Sequence, residues 1–288
     1  MVNKFKLMNR KPFCILPIIF YGFAFLIFGC TGSPLENNID STVNKTIVGS
    51  VSLLGNDSPE GVYIWLEDTD LNTFTDENGK FTLELPKSNS EKKNLESGIF
   101  KLFYYVANYK ITSSTVVVDK GEFLASNGDL NSKGELTGTK HMVKLLRIKT
   151  EVSPSTVNAS FSGLIQVSVA LQATQDSVAV VLPKVLEGAS TLIFERIGSG
   201  DPIILNESSN FVLLKSKIGR EEEIFEYGFT LTSGMLPEGE YRLVPYFLIE
   251  QDNMPEKLIA SIGSEVNKFG PEFLQIPFKR EGGQFVIF

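Results

Sequence analysis

The feature that most restricts the fold of this chain is a succession of short apolar segments separated by turn-forming residues. Some segments alternate apolar and polar side chains, as Phe81, Leu83 and Leu85 do, which is typical of a strand with one buried face. The clusters between segments are rich in Asn, Asp, Gly, Ser and Pro, and no helical period is sustained. The pattern predicts an all-β protein with strands at 46–53, 61–67, 80–85, 98–106, 114–118, 141–148, 164–171, 178–183, 191–197, 211–215, 225–231, 240–249, 257–262, 272–278 and 284–288.

These strands predict two consecutive β-sandwich domains, 46–149 and 150–288, with the boundary near the proline bend at 151–155. Pro245 inside one predicted strand indicates an edge or a bulge. The apolar final residues indicate that the C-terminus is packed into the fold. The polar stretch before residue 46 has no period and is expected to be a tether.

The first 29 residues have the pattern of an export signal, with a basic start and an uncharged apolar run at 13–28. Ile27, Gly29 and Cys30 then resemble the lipobox of bacterial lipoproteins, although Phe28 departs from its usual small or β-branched residue. This predicts a signal peptide at 1–29 and a lipid-modified Cys30, followed by a tether to residue 45. An uncleaved membrane anchor is the alternative, because the apolar run comes close to spanning a bilayer.

The numbers of cysteines and of charged residues argue against a disulfide framework, a cysteine metal site and nucleic-acid binding. The two cysteines are Cys14, inside the signal, and Cys30, so cleavage would leave neither a disulfide framework nor a cysteine metal site. Cleavage would also leave 23 basic against 34 acidic residues, a net charge of −11. We therefore expect no nucleic-acid partner. The expected partners are the membrane, through the lipid anchor, and a protein or a carbohydrate.

The segment TFTDENGKFTLELP at 73–86 allows either a calcium-binding loop or the tip of a β-hairpin whose second strand starts at Lys80, and we predict the hairpin. An EF-hand starting at Asp68 would need Gly at the position of Thr73 and Glu at the position of Gly79, so that motif fails. A turn fits, because Asp76 can accept backbone hydrogen bonds and Gly79 tolerates positive φ. A looser calcium site formed by Asp68, Asp70 and Asp76 remains as a separate hypothesis.

Residues 46–118 resemble the carboxypeptidase regulatory-like domain, a transthyretin-like β-sandwich. The matching elements are Gly49 and Val51 in the opening strand, the segment 59–66, the turn TDENGKF at 75–81, and 98–109 in place of a later strand. The resemblance implies an accessory, non-catalytic domain. Peptidase activity is not implied, because its zinc site needs two His residues and this chain has one.

The second half resembles immunoglobulin-like and fibronectin-like sandwiches in the stretch LPEGEYRL at 236–243. There Tyr241 occupies the position of the tyrosine corner, whose hydroxyl bonds to backbone a few residues upstream.

Residues that could support catalysis are few. His141 is expected at a strand end, and no nucleophile elbow accompanies it. Glu221, Glu222 and Glu223 are expected in a solvated turn, since neighbouring side chains of an extended segment point to opposite faces. We therefore predict no catalytic residue, no metal and no cofactor. A hydrolase acting on envelope or environmental polymers, with an accessory β-sandwich, is the alternative.

Two predicted strands carry aromatic residues on the face opposite the expected core. In 61–67, Tyr63 and Trp65 share that face, and in 98–106, Phe103 and Tyr105 do. Either this face is covered by the rest of the chain or a partner, or it is an exposed platform. The second alternative makes these four residues a candidate binding surface for a sugar or a protein. The overall expectation is a non-catalytic lipoprotein of the bacterial cell envelope, with the outer membrane favoured because Thr31, rather than Asp, follows Cys30.

Overall fold

A computed structural model describes residues 45–85, 95–185, 191–198, 202–204 and 211–288. The predictions for the signal peptide, Cys30 and most of the tether lie outside these residues. Within the described part, strands dominate and the all-β prediction is confirmed. None of the helices there has the length and apolar composition that a membrane-spanning helix needs.

The described residues of the first half, 45–85 and 95–143, form eight strands in two sheets. One sheet has the order β4-β1-β8 and the other β3-β2-β5-β6-β7. β1 is antiparallel to β4 and parallel to β8. The strands are β1 Thr46–Leu54, β2 Tyr63–Leu66, β3 Asn72–Phe74, β4 Lys80–Glu84, β5 Gly98–Tyr105, β6 Thr112–Asp119, β7 Glu122–Phe123 and β8 Lys140–Val143.

The alternation in the sequence decides which faces of these two sheets meet. Ile64 and Leu66 on β2 and Leu102 on β5 are buried in one core with Phe81 and Leu83 of β4. Since side chains alternate along a strand, the same register sends every second residue of β2 and β5 to the opposite face. The predicted inner faces of these strands are therefore correct.

In the described part of the second half, twelve strands form three sheets that share another core. Their orders are β16-β11-β9-β19, β10-β20-β17-β13-β14 and β15-β12-β18. The core takes buried side chains from all three sheets, among them Val167, Val180 and Phe285. The strands are β9 Leu146–Ser153, β10 Thr156–Val157, β11 Gly163–Ala173, β12 Val178–Val185, β13 Leu192–Arg196, β14 Pro202–Ile204, β15 Phe211–Ile218, β16 Glu223–Leu231, β17 Gly239–Pro245, β18 Leu248–Ile249, β19 Glu281–Gly282 and β20 Gln284–Ile287.

The change from one half to the other falls a few residues before the predicted boundary at 149/150. The predicted strand 141–148 is two strands, because β8 joins β1 in the first half and β9 joins β11 in the second. The chain passes between them at Lys144 and Leu145. Residues Ser41–Phe288 nevertheless form one compact unit.

Two predicted strands near the C-terminus are wrong. Residues 257–262 contain the helix α1, Leu258–Ile262, and residues 272–278 overlap the 3₁₀ helix Pro271–Gln275. Ile262 lies four residues after Leu258, a spacing that also places both on one face of a helix. Pro271 stands at the start of the 3₁₀ helix, where its fixed φ is favourable. Short apolar runs do not distinguish these conformations.

A third core joins the two halves. It contains the outer face of the sheet with β2 and β5, together with Ile193 of β13 and Val244 of β17. Leu258 of α1 and Phe273 of the 3₁₀ helix are fully buried in it. Within the described residues, the sheet with β2 and β5 and the sheet with β13 and β17 are therefore each buried on both faces.

The predicted β-hairpin at 73–86 is wrong, although its turn at 76–79 forms, because the strands before and after the turn belong to different sheets. Asp76 Oδ1 accepts hydrogen bonds from the N–H groups of Asn78 (2.9 Å) and Lys80 (2.8 Å), and Gly79 has φ 74°. β3 before the turn pairs with β2, and β4 after it pairs with β1. The turn therefore links the two sheets of the first half, and β4 begins at Lys80 as predicted.

The tyrosine-corner prediction is confirmed at the level of its hydrogen bond. Tyr241 is buried on β17, and its hydroxyl donates to the carbonyl of Pro237 at 2.5 Å. This bond fixes the segment that enters β17.

Candidate functional site

The four aromatic residues predicted as a binding surface come together but are buried. Tyr63, Trp65, Phe103 and Tyr105 expose at most 6% of their surface. They belong to the third core, and the rings of Trp65 and Phe103 stack with centroids 6.1 Å apart. The exposed platform is therefore absent from this structure, and the alternative in which the chain covers its own aromatic face is correct.

The polar atoms of this aromatic layer are hydrogen-bonded within the chain. The hydroxyl of Tyr63 donates to the carbonyl of Ser261 at 2.9 Å, which attaches β2 to α1. The indole N–H of Trp65 donates to the carbonyl of Thr69 at 2.9 Å. Burial raises the pKa of both Tyr63 and Tyr105. These contacts make the layer a structural joint between the halves.

Two of the three acidic residues of the calcium hypothesis, Asp68 and Asp76, have other partners. Asp68 forms an exposed ion pair with Lys257 at 2.8 Å, and Asp76 accepts the backbone bonds of its turn. Among the described residues, no group of three or more His, Cys, Asp and Glu side chains is arranged to hold a metal ion.

The remaining acid–base candidates lie on the surface. His141 is exposed on β8, with Nδ1 2.5 Å from the hydroxyl oxygen of Ser52. Glu221 and Glu222 are exposed in the turn before β16, and Glu223 begins that strand. The placements of His141, Glu221 and Glu222 agree with the predictions, whereas Glu223 is half-buried in a strand and not in the predicted turn.

A network of buried polar groups fixes the junction where the chain passes between halves. The Asn108 side chain donates to the carbonyls of Leu146 (3.0 Å) and Lys279 (2.9 Å) and accepts the N–H of Lys279 (3.0 Å). Beside it, Lys144 Nζ lies 2.7 Å from Asp57 Oδ2. The junction is therefore held by directional bonds as well as by apolar packing.

Tyr109 completes this buried group. Its hydroxyl donates to the carboxylate of Asp57, and its ring lies 5.7 Å from the ammonium of Lys144. Burial, followed by the hydrogen bond and charge of Asp57, raises the pKa of Tyr109. The carboxylate of Asp57 is thus engaged by both a cation and a hydroxyl.

A cleft of about 450 Å³ opens beside the junction. Its walls come from the loop between β1 and β2, from β13 and β17, and from the segment between the 3₁₀ helix and β20. Three cationic side chains line it, Arg242, Lys279 and Arg280, together with the acidic residues Glu60 and Glu195. We name it the junction cleft. Its volume falls in the range of small-molecule sites.

Arg280 is the least compensated charge of the junction cleft. Its guanidinium carbon lies 3.9 Å from the ring centroid of Phe278 and 5.3 Å from that of Phe273. Nε and Nη2 are shielded from solvent and make no hydrogen bond within the described chain. Aromatic faces favour a cation, but a guanidinium normally also binds oxygen atoms. A buried donor without an acceptor is unusual and requires an explanation.

The electrostatics of the cleft agree with this geometry. Burial lowers the pKa of Arg280 to about 9; the nearby charge of Glu195 opposes this change and that of Arg242 adds to it. Burial also lowers the pKa of Lys279, whose ammonium donates to the carbonyl of Glu60 at 2.5 Å. Both cations are therefore held in surroundings that disfavour their charge.

A larger cleft elsewhere is lined by cations that are exposed to water and not buried. It has about 640 Å³ and is lined by Lys110, Lys215 and Lys217. Lys215 forms an ion pair with Glu250, and both side chains are largely exposed to water. Solvent can therefore satisfy these charges, and we take the junction cleft as the candidate site.

Sequence reasoning did not find the junction cleft. Its cations are 37 residues or more apart in the chain, apart from the adjacent pair Lys279 and Arg280. The available signal was this pair, placed between an apolar segment and the glycines at 282 and 283. Two basic residues at the end of a predicted strand are not specific, because the partners that complete the cleft come from distant elements.

Comparison with known proteins assigns no family. No family model matches the chain, and no curated protein matches it. One matching solved structure is CBD12 from CALX1.2, with 8% identity, 84% of this chain and 98% of that chain covered, and a TM-score of 0.19. A similarity at this level carries no argument about fold or function.

Proposed function

We propose that this chain is a non-catalytic, lipid-anchored protein of the bacterial cell envelope that binds a glycan or a protein through the junction cleft. The observation that supports a binding role is the guanidinium of Arg280, which lines a cleft of ligand size while two of its nitrogens have no acceptor. A ligand bearing an acceptor and a negative charge would compensate it.

The anchoring part of the proposal rests on the N-terminal sequence. Ile27, Gly29 and Cys30 resemble a lipobox after a basic and apolar segment. Stable anchoring needs more than one acyl chain, as a lipidated N-terminal cysteine supplies. The resemblance of 46–118 to carboxypeptidase regulatory-like domains adds support, because that module is an accessory domain in many exported proteins.

Metabolic labelling with palmitate tests the anchor. The wild-type chain and Cys14→Ser should incorporate label, and Cys30→Ser should not, because Cys14 lies in the segment that is removed. Mass spectrometry of the N-terminal peptide should find Cys30 first and lipid-modified. Label that persists in Cys30→Ser, or an unmodified N-terminus in the wild type, would contradict the anchor.

Incubation of the full-length protein in detergent with envelope polysaccharides distinguishes binding from the alternative, hydrolysis. The acidic residues Asp57 and Glu195 beside the cleft are engaged by Lys144 and Arg242, which supports binding. We expect polysaccharide to be retained at unchanged chain length. Shortening of the chains would favour the hydrolase.

A further inference from the structure

We propose that the junction cleft binds the carboxylate of a sugar acid, with Arg280 as its main contact; this inference rests on the proposed binding role and specifies its ligand. The juxtaposition that carries it is an uncompensated guanidinium beside acidic and polar groups that can accept hydrogen bonds from sugar hydroxyls.

The three cations of the junction cleft differ in whether they are already paired with a carboxylate of the chain. Arg242 is paired with Glu195 at 3.3 Å, and both side chains are partly exposed. Lys279 donates to a backbone carbonyl, which carries no net charge. No carboxylate of the described chain forms an ion pair with Arg280. The cleft therefore contains one cation that is paired and two that are not paired with an anion.

The planar shape of the Arg280 guanidinium suits a carboxylate. A guanidinium is planar and presents parallel N–H groups, which match the two oxygens of a carboxylate. The ring of Phe278 at 3.9 Å holds one face of the Arg280 guanidinium. Nε and Nη2 are shielded from solvent, so an anion in the cleft meets Arg280 at the part of its side chain that lines the cleft.

The carboxylates that line the junction cleft disfavour a ligand with two negative charges. Asp57, Glu60 and Glu195 also line the cleft, so a group with two negative charges would meet twice the repulsion that a single charge meets there. A monoanion is therefore favoured over a phosphate monoester. The pKa of Arg280, lowered mainly by burial, agrees with a cation that gains from one anionic partner.

The hydrogen-bonding groups of the junction cleft suit a ligand that carries hydroxyl groups beside its carboxylate. Carboxylates accept hydrogen bonds but donate none, and the cleft also presents the polar side chains of Ser58 and Gln284. A molecule rich in hydroxyl groups supplies the donors that Glu60 and Glu195 can use. Sugar acids combine a single carboxylate with such hydroxyls at a size suited to a cleft of about 450 Å³.

Isothermal titration of the full-length protein in detergent tests the proposal. Glucuronate should bind, whereas glucuronamide, which has the same shape without the charge, should bind at least about tenfold more weakly. Lactate, which has the carboxylate without the ring hydroxyls, and inorganic phosphate should both bind more weakly than glucuronate. Equal binding of glucuronate and glucuronamide, or tighter binding of phosphate or lactate, would overturn the assignment.

Two matched variants separate a ligand contact from a structural role. Arg280→Met should lower glucuronate affinity by about tenfold or more. Arg147→Met, which changes an exposed arginine bonded to Gln172 outside the cleft, should retain wild-type affinity. The melting temperature of ligand-free Arg280→Met should be unchanged or higher, because the substitution removes an uncompensated charge. Unchanged affinity in Arg280→Met would overturn the proposal.

Titration of the wild-type protein gives a result that does not depend on the folding of any variant. Absence of glucuronate binding to wild-type protein at about 10 mM, an affinity weaker than most specific sites, overturns it. That result leaves palmitate labelling and membrane association unaffected. Failure of the sugar-acid ligand and failure of the anchored role are therefore observed separately.

Discussion

The side-chain amide of Asn108 forms two hydrogen bonds with the backbone of Lys279, a residue 171 positions later in the chain. It donates to the carbonyl and accepts from the N–H, so it replaces the pairing that a neighbouring strand would provide. Asn108 is completely buried. The positions of Lys279 and Arg280, and thus of the junction cleft, depend on this contact.

Asn108→Ala should destabilise the protein strongly. The substitution leaves the N–H and the carbonyl of Lys279 and the carbonyl of Leu146 without partners, and we expect a loss of about 3 kcal/mol in the free energy of unfolding. Asn72→Ala is the control, because Asn72 is exposed and bonds only to a nearby carbonyl; its effect should stay within about 0.5 kcal/mol. Denaturant unfolding measures both, and equal effects would contradict the role of Asn108.

Trp65, the single tryptophan of the chain, reports on the aromatic layer. Its burial predicts a blue-shifted emission that soluble quenchers do not reach. Trp65→Ala should cost about 3–5 kcal/mol of stability, as large-to-small changes in a core do. Phe74→Ala, at a half-exposed ring, should cost about 1 kcal/mol or less. A red-shifted, readily quenched emission from the folded protein would show that the layer is open.

Gly79→Ala tests the turn that links the two sheets of the first half. A Cβ there would lie 2.1 Å from the carbonyl oxygen of Val51, at φ +74°. Gly121 has a similar φ of +77° with nothing within 4 Å of its Cβ position, so Gly121→Ala isolates the backbone strain. We expect about 1 kcal/mol for Gly121→Ala and on the order of 3 kcal/mol for Gly79→Ala. Thermal unfolding compares them, and a cost at Gly79 no larger than at Gly121 would argue against the close approach to Val51.

The buried tyrosines predict a loss of stability at alkaline pH. Burial raises the pKa of Tyr104, Tyr105 and Tyr109 above 10.0, and that of Tyr227 to about 12. The folded state therefore holds these protons more tightly than the unfolded state does. Their stabilising contribution is fully present below the unfolded pKa of about 10 and is lost as the pH rises through the folded values.

Tyrosinate absorbance of folded and denatured protein at about pH 11 measures this difference. The folded protein should show a clearly smaller ionised fraction, and the remainder should ionise together with unfolding. The same fraction in both states, with native circular dichroism retained, would contradict the burial of these hydroxyls.

The sequence was sufficient to predict those parts of the fold that depend on local patterns, such as the alternation of apolar and polar side chains along a strand. The inward faces of Ile64, Leu66, Phe81 and Leu83 follow from a period of two, and the turn at Gly79 follows from local turn chemistry. These signals lie within a few consecutive residues. They do not depend on which distant segment becomes the neighbour.

Other parts depend on contacts between distant segments. The run around Leu258 fits a strand as well as one helical turn, and packing against β2 decides between them. The aromatic residues of β2 and β5 indicate a second apolar face, but the segments that cover it come from β13, β17, α1 and the 3₁₀ helix, all in the second half of the chain. No sequence motif marks Arg280. It is notable only in the folded chain, where two of its nitrogens have no hydrogen-bond acceptor.

The cover of the aromatic layer has a consequence for biosynthesis. The strands β2 and β5 leave the ribosome long before α1 and the 3₁₀ helix, which come from the last forty residues of the chain. Until those residues emerge, Trp65 and its neighbours lack the part of their cover that α1 and the 3₁₀ helix provide, and the nascent chain carries an exposed apolar patch. A product terminated before residue 250 would retain that patch permanently, so premature termination should yield an insoluble fragment instead of an autonomous N-terminal module.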